Sequence, residues 1–135
     1  MILLIDTSNI EYFFLGLADS QGLKLQKKVN AHFEQEEKLL LNLDQLCQKA
    51  KVQPNTFSGV IVVDGPGSFS ALRIGLAVAN TIGWQLHIPV VGVHKNEFCS
   101  PEELYIVGSK LLKQKFGFSL VLPVYDKEPN INLKK

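Results

Sequence analysis

The chain opens on four apolar residues, Ile2 to Ile5, that run into Asp6-Thr7-Ser8-Asn9. This is the pattern of a buried strand ending in a turn. Tyr12 to Ala18 is aromatic and apolar enough for a second strand, and Asp19-Ser20-Gln21-Gly22 reads as a turn closed by glycine. Leu23, Leu25, Lys27 and Val29 then alternate imperfectly with polar neighbours. The pattern predicts three strands in an antiparallel meander.

The period then changes. Between Glu34 and Lys51 the apolar positions Leu39, Leu40, Leu43, Leu46, Cys47 and Ala50 recur at steps of three and four, one stripe of a helix. Glu34, Glu36 and Glu37 suit its positive end, Lys49 and Lys51 its negative end, and Pro54 stops it. Val60 to Val63 is a continuous β-branched run, as in a central strand covered on both faces. It ends in Asp64-Gly65-Pro66-Gly67, after which a helix is expected from about Ser68 to Leu86. Pro89 to Val93 reads as another buried strand. Ser100, Pro101 and Glu103 form the cap, first helical residue and reciprocal partner of a capping box. That helix is expected to reach about Phe116, with Gly117 closing it, Phe118 to Leu122 forming a short last strand, and Pro123 to Lys135 a mobile tail. The order β-β-β-α-β-α-β-α predicts an α/β fold: a mixed sheet with helices on its faces. It is the order of a single ribonuclease H-like lobe, half of an actin-like ATPase fold.

Length and composition narrow the functional classes. A chain of 135 residues can build one core, and 46% hydrophobic with 20% charged residues is ordinary for a globular domain. Fourteen basic residues against thirteen acidic ones leave a net charge of +1, so no general field draws in nucleic acid or anionic lipid. Cys47 and Cys99 have no CxxC spacing and are expected to be buried apolar thiols. His32, His87 and His94 show no HxxxH or HExxH spacing, so no metal site is expected. The N-terminus lacks a basic stretch ahead of its apolar run, and Ile74 to Ala79 falls far short of the roughly 20 residues of a membrane span. A cytoplasmic protein is expected.

The segment richest in information runs from Asp64 to Gly75. Gly65 and Gly67 permit a tight strand-to-helix turn that Pro66 stiffens, and Ser68 or Ser70 could cap the helix. Amides at that helix start could hold an anion, or the turn could be a rigid connector without a ligand. No Gly-Lys-Ser or Gly-Lys-Thr follows, so it is not a P-loop. Within the helix, Ala71, Gly75, Ala79 and Gly83 recur every four residues, a stripe on which another helix could approach closely. Leu72, Ile74, Leu76, Val78, Ile82 and Trp84 make the rest apolar nearly all round. Such a helix needs a second cover besides the sheet, either the 34–51 helix or another chain.

Five blocks together carry a resemblance: ILLIDTS at 2–8, EKLLLNLDQL at 37–46, GPGSFSALRIGLAVA at 65–79, IPVVGV at 88–93 and LPVYDKEPNI at 122–131. The chain resembles the TsaB (YeaZ) family, the dimerization subunit of the bacterial tRNA threonylcarbamoyladenosine machinery. Gly65, Pro66, Gly67, Ser68, Phe69 and Arg73 carry the block specific to the family. The resemblance implies an actin-like fold with no catalytic residues and no cofactor of its own. It implies pairing with a TsaD-like catalytic subunit, a TsaE-like ATPase in the same assembly, a possible homodimer, contact with tRNA only through the complex, and no membrane. In the family, pairing uses the two helices of the first lobe, here 34–51 and 68–86. The implied interface is Leu39, Leu40, Leu43 and Leu46 with Ala71, Leu72, Gly75, Ala79 and Gly83. On this reading Gly75→Leu or Ala79→Leu abolishes pairing and leaves the monomer folded.

The chain also departs from the family. Gln35 and Glu36 replace the usual His-Ser or His-Thr opening of the first helix, and Ser70-Ala71 the usual Thr-Gly. The resemblance passes from Glu97 directly to the family's last helix. The expected organisation is therefore a ribonuclease H-like lobe at 1–97, with a C-terminal helix and tail at 98–135 in place of a second lobe. A rival reading is a metal-dependent nuclease using Asp6 and Asp64 at strand ends, with Glu34 or Glu37 and Glu102 completing a carboxylate cluster. A nucleotide-binding relic at Asp6-Thr7-Ser8 would need a glycine between Asp and Thr, and none is there.

Overall fold

A computed structural model describes residues 1–124. Five strands form one mixed sheet: β1 (Ile2–Asp6), β2 (Tyr12–Asp19), β3 (Gly22–Asn30), β4 (Gly59–Gly65) and β5 (Val90–His94), in the order β3-β2-β1-β4-β5. β1 runs antiparallel to β2, with Ile2 opposite Ala18, and parallel to β4, with Ile2 opposite Gly59. β4 and β5 are parallel. The three helices are α1 (Gln35–Ala50), α2 (Phe69–Leu86) and α3 (Pro101–Leu112).

Strand alternation sorts the core into two layers. Leu3 and Ile5 of β1 join Val60 and Val62 of β4 under Leu39, Leu43 and Leu46 of α1 and Leu76 and Ala79 of α2. Leu4, Ile61 and Val63 point the other way and pack with Leu104 of α3. Every residue of β4 is buried, which accounts for its unbroken β-branched run.

The element order expected from sequence is the observed one. The α3 cap also forms: Glu103 N donates to Ser100 Oγ at 3.2 Å, while the Glu103 carboxylate accepts from Cys99 N at 2.6 Å, one residue earlier than a strict capping box. α3 differs in length. It ends at Leu112, because Lys113 to Phe116 have no apolar face to lay on the sheet and all four are exposed. Residues 118–122 are not a strand. Their inward positions, Phe118 and Val121, lie three residues apart rather than two, and they pack against the α1–α2 layer. Cys47 is buried as expected, and burial pushes its thiol pKa up, with nearby Asp44 adding to the shift. Cys99 is exposed, because it precedes the α3 cap on the surface. The expected tail at 123–135 and the 122–131 block fall mostly outside the described residues. Among the described residues no helix is long and apolar enough to cross a membrane.

Candidate interaction surface

α2 has two unlike faces. Its stripe of small residues faces inward: Ala71, Gly75, Ala79 and Gly83 are all buried. A Cβ on Gly75 would overlap the Thr7 hydroxyl, and one on Gly83 would overlap Val90. The stripe therefore lets α2 sit tightly on its own sheet. This corrects the expectation that it receives a helix from another chain. Leu72, also expected at the interface, is fully buried, and Leu46 of α1 is buried too. Gly75→Leu and Ala79→Leu are therefore expected to act on the fold, not selectively on pairing.

The outward side carries a continuous apolar groove between α1 and α2. Its upper part, 490 Å³, is lined by Leu39, Leu40, Ile74, Ala77 and Val78, with Glu36 and Arg73 at its polar end. Its lower part, 390 Å³, is lined by Leu40, Leu43, Phe57, Ile82 and Leu86. Leu40 borders both parts and is 59% exposed. Of the nine expected interface residues, Leu40 stands on this rim and Leu39 and Leu43 form the floor. Ala77, which also lines the groove, was not expected there. Trp84 is 66% exposed, and its place on the outer side of α2 was legible only as surplus apolar surface.

The family-motif turn is closed by local bonds. The Thr7 hydroxyl donates to Ala71 O at 2.8 Å, Ser68 N donates to Ser8 O at 2.8 Å, and a Cβ on Gly67 would overlap Ser8 O. Gly65 has φ +130°, a conformation that favours glycine. Ser68 occupies the cap position without a side-chain bond. The Asp6-Thr7-Ser8 loop and the Gly-Pro-Gly turn are thus locked together as a rigid connector, and the Ser68 amide is already used. Arg73 is exposed and lies over the Phe69 ring, 5.2 Å from guanidinium carbon to ring centroid. Gln35, which sequence reasoning noted only as a departure, is buried. Its Nε2 donates to Asn9 O and Ile10 O at 3.0 and 2.8 Å, so it clamps the β1–β2 loop to the start of α1.

Of the carboxylates of the nuclease reading, Asp6, Asp64 and Glu34 have other partners, and Glu37 and Glu102 stand apart. Asp6 accepts from Ser8 N and Ser8 Oγ and forms an ion pair with Lys95 at 2.8 Å. Buried Asp64 meets His94 Nδ1 at 2.8 Å. Burial pushes the Asp64 carboxyl above the usual range, and the His94 contact pulls it partly back. Glu34 pairs with Lys38, while Glu37 and Glu102 sit exposed on helices that cover opposite faces of the sheet. Among the described residues no group of three or more His, Cys, Asp or Glu side chains is placed to hold a metal ion.

Sheet order, crossover helices and a closed first loop define a single ribonuclease H-like lobe of the actin-like class. The profile of the family described as "TsaD: tRNA N6-adenosine threonylcarbamoyltransferase" matches residues 29–105, more than half of the chain. The chain belongs to this family and, within it, to the TsaB (YeaZ) group. It is 31% identical over 98 residues to the tRNA threonylcarbamoyladenosine biosynthesis protein TsaB of Bacillus subtilis (strain 168), covering 71% of this chain and 42% of that protein. It is 36% identical over 58 residues to the tRNA N6-adenosine threonylcarbamoyltransferase of Listeria monocytogenes, covering 43% of this chain and 17% of that enzyme. The structure of YeaZ from Pseudomonas aeruginosa superposes with a TM-score of 0.62 at 25% identity, over 69% of this chain and 42% of that one. The chain thus spans less than half the length of each of these relatives.

Proposed function

We propose that this chain is a non-catalytic pairing subunit in the formation of threonylcarbamoyladenosine in tRNA. It docks the groove between α1 and α2 onto helices of a TsaD-like catalytic subunit. The observation that carries the reading is the groove itself, an apolar seam between two helices whose rims, Leu40 and Ala77, stand in solvent. Two helices from a partner would complete a four-helix layer there, with the side chains interlocking as ridges in grooves. Family membership and the TsaB relative support the choice of partner. A TsaE-like ATPase joins the same assembly, tRNA is met through the complex, and a second copy of this chain can use the same seam when the partner is absent. The assembly works in the cytoplasm.

Light-scattering mass after gel filtration tests the reading, using the full chain alone and mixed with its organism's TsaD-like subunit. A species at the summed mass is expected. Two proteins that elute independently at every ratio would overturn it.

A further inference from the structure

Trp84 is the single tryptophan of the chain and stands in the last turn of α2. A tryptophan that finds cover buries roughly 150–250 Å², yet this one is 66% exposed. Among the described residues its indole N–H has no hydrogen-bond acceptor, and its ring meets no other ring or cation. Within the chain this side chain therefore secures little.

Its position ties it to the seam between α1 and α2. Ala77, Thr81 and Trp84 follow one another at steps of four and three, so they share one face of α2. Ala77 and Thr81 border the seam where Leu40 of α1 stands against α2. A long side chain on a helix reaches back over the turn before it, here the turn that carries Thr81. The apolar rim thus continues past Thr81 toward the carboxyl end of α2. Thr81 and His87, three residues to either side of Trp84, are exposed and polar. A large aromatic ring with polar neighbours at the edge of an apolar groove is the composition of an interface hot spot.

We propose that Trp84 anchors the pairing surface by entering an apolar pocket of the TsaD-like subunit, one that holds a hydrogen-bond acceptor for the indole N–H. This role rests on the pairing proposed above. It extends that surface from the groove between α1 and α2 onto the outer face of α2. The two small rim residues, Ala77 and Thr81, let a partner helix come close, and the ring beyond them fixes how far along α2 that helix sits.

The test uses the full chain grown with fluorotryptophan, which gives one fluorine resonance because the chain has one tryptophan. In the free chain that resonance is expected to move between light and heavy water, as an exposed ring does. On saturation with the TsaD-like subunit it is expected to shift and to lose this solvent dependence. In a calorimetric titration Trp84→Ala is expected to weaken binding about tenfold or more, with a melting temperature close to that of the wild type. A resonance that keeps its solvent dependence inside a complex of the summed mass would overturn the anchor and leave the pairing standing. So would a Trp84→Ala chain that binds as tightly as the wild type. The absence of any complex would overturn the pairing and the anchor together.

Discussion

The two faces of α2 are made from similar residues and serve different ends. Inward, Ala71, Gly75, Ala79 and Gly83 bring the helix backbone close to the sheet and to the Asp6-Thr7-Ser8 loop. Outward, Ile74, Ala77, Val78 and Ile82 leave apolar surface that α1 covers only in part. Small residues mark close approach, but what approaches is decided by which side the sheet takes. Surplus apolar surface on the other side is the better marker of a partner.

Four substitutions would break or sharpen this contrast. Gly75→Leu forces a branched side chain into Thr7 and is expected to cost about 3 kcal/mol, the upper end of ordinary overpacking, read as a large drop in melting temperature. A folded variant with a wild-type melt would refute the inward assignment. Gln35→Leu keeps the volume but leaves Asn9 O and Ile10 O without its donors, for an expected loss of about 2 kcal/mol in denaturant titration. Leu40→Asp places a charge on the outer rim. It is expected to weaken pairing about tenfold or more while changing stability by only about 0.5 kcal/mol.

The smallest effect is expected at Asp64. Its folded carboxyl binds a proton more tightly than the unfolded one, so its charge costs stability above the raised pKa, and that cost fades as pH falls through it. Asp64→Asn keeps an oxygen for His94. It is expected to melt at or above the wild-type temperature at neutral pH, with the difference closing as the pH is lowered. A variant less stable at neutral pH would mean that the His94 contact outweighs burial.

Much of the fold was legible because it is local. The Ser100 cap and the continuous Val60–Val63 run each carry their own cause within a few residues. The face of α2 was not legible, because a helix apolar nearly all round has no periodicity that selects one side. Only the arrival of Thr7 at Gly75, from a loop far away in sequence, fixes it. The same holds for residues 118–122, whose composition suits a strand. Their seat on Gly83 and Gly92 imposes a spacing of three that no neighbouring residue announces. Ala77 was missed because exposure, not residue type, makes it part of the seam.

The most direct measurement is calorimetric titration of the TsaD-like subunit into the full chain, wild type and Leu40→Asp, with a melting curve taken on each. One-to-one binding by the wild type, weakened about tenfold or more in a variant that melts normally, is the expected result. Equal affinity for the two chains would place the partner elsewhere and contradict the role assigned to the groove between α1 and α2.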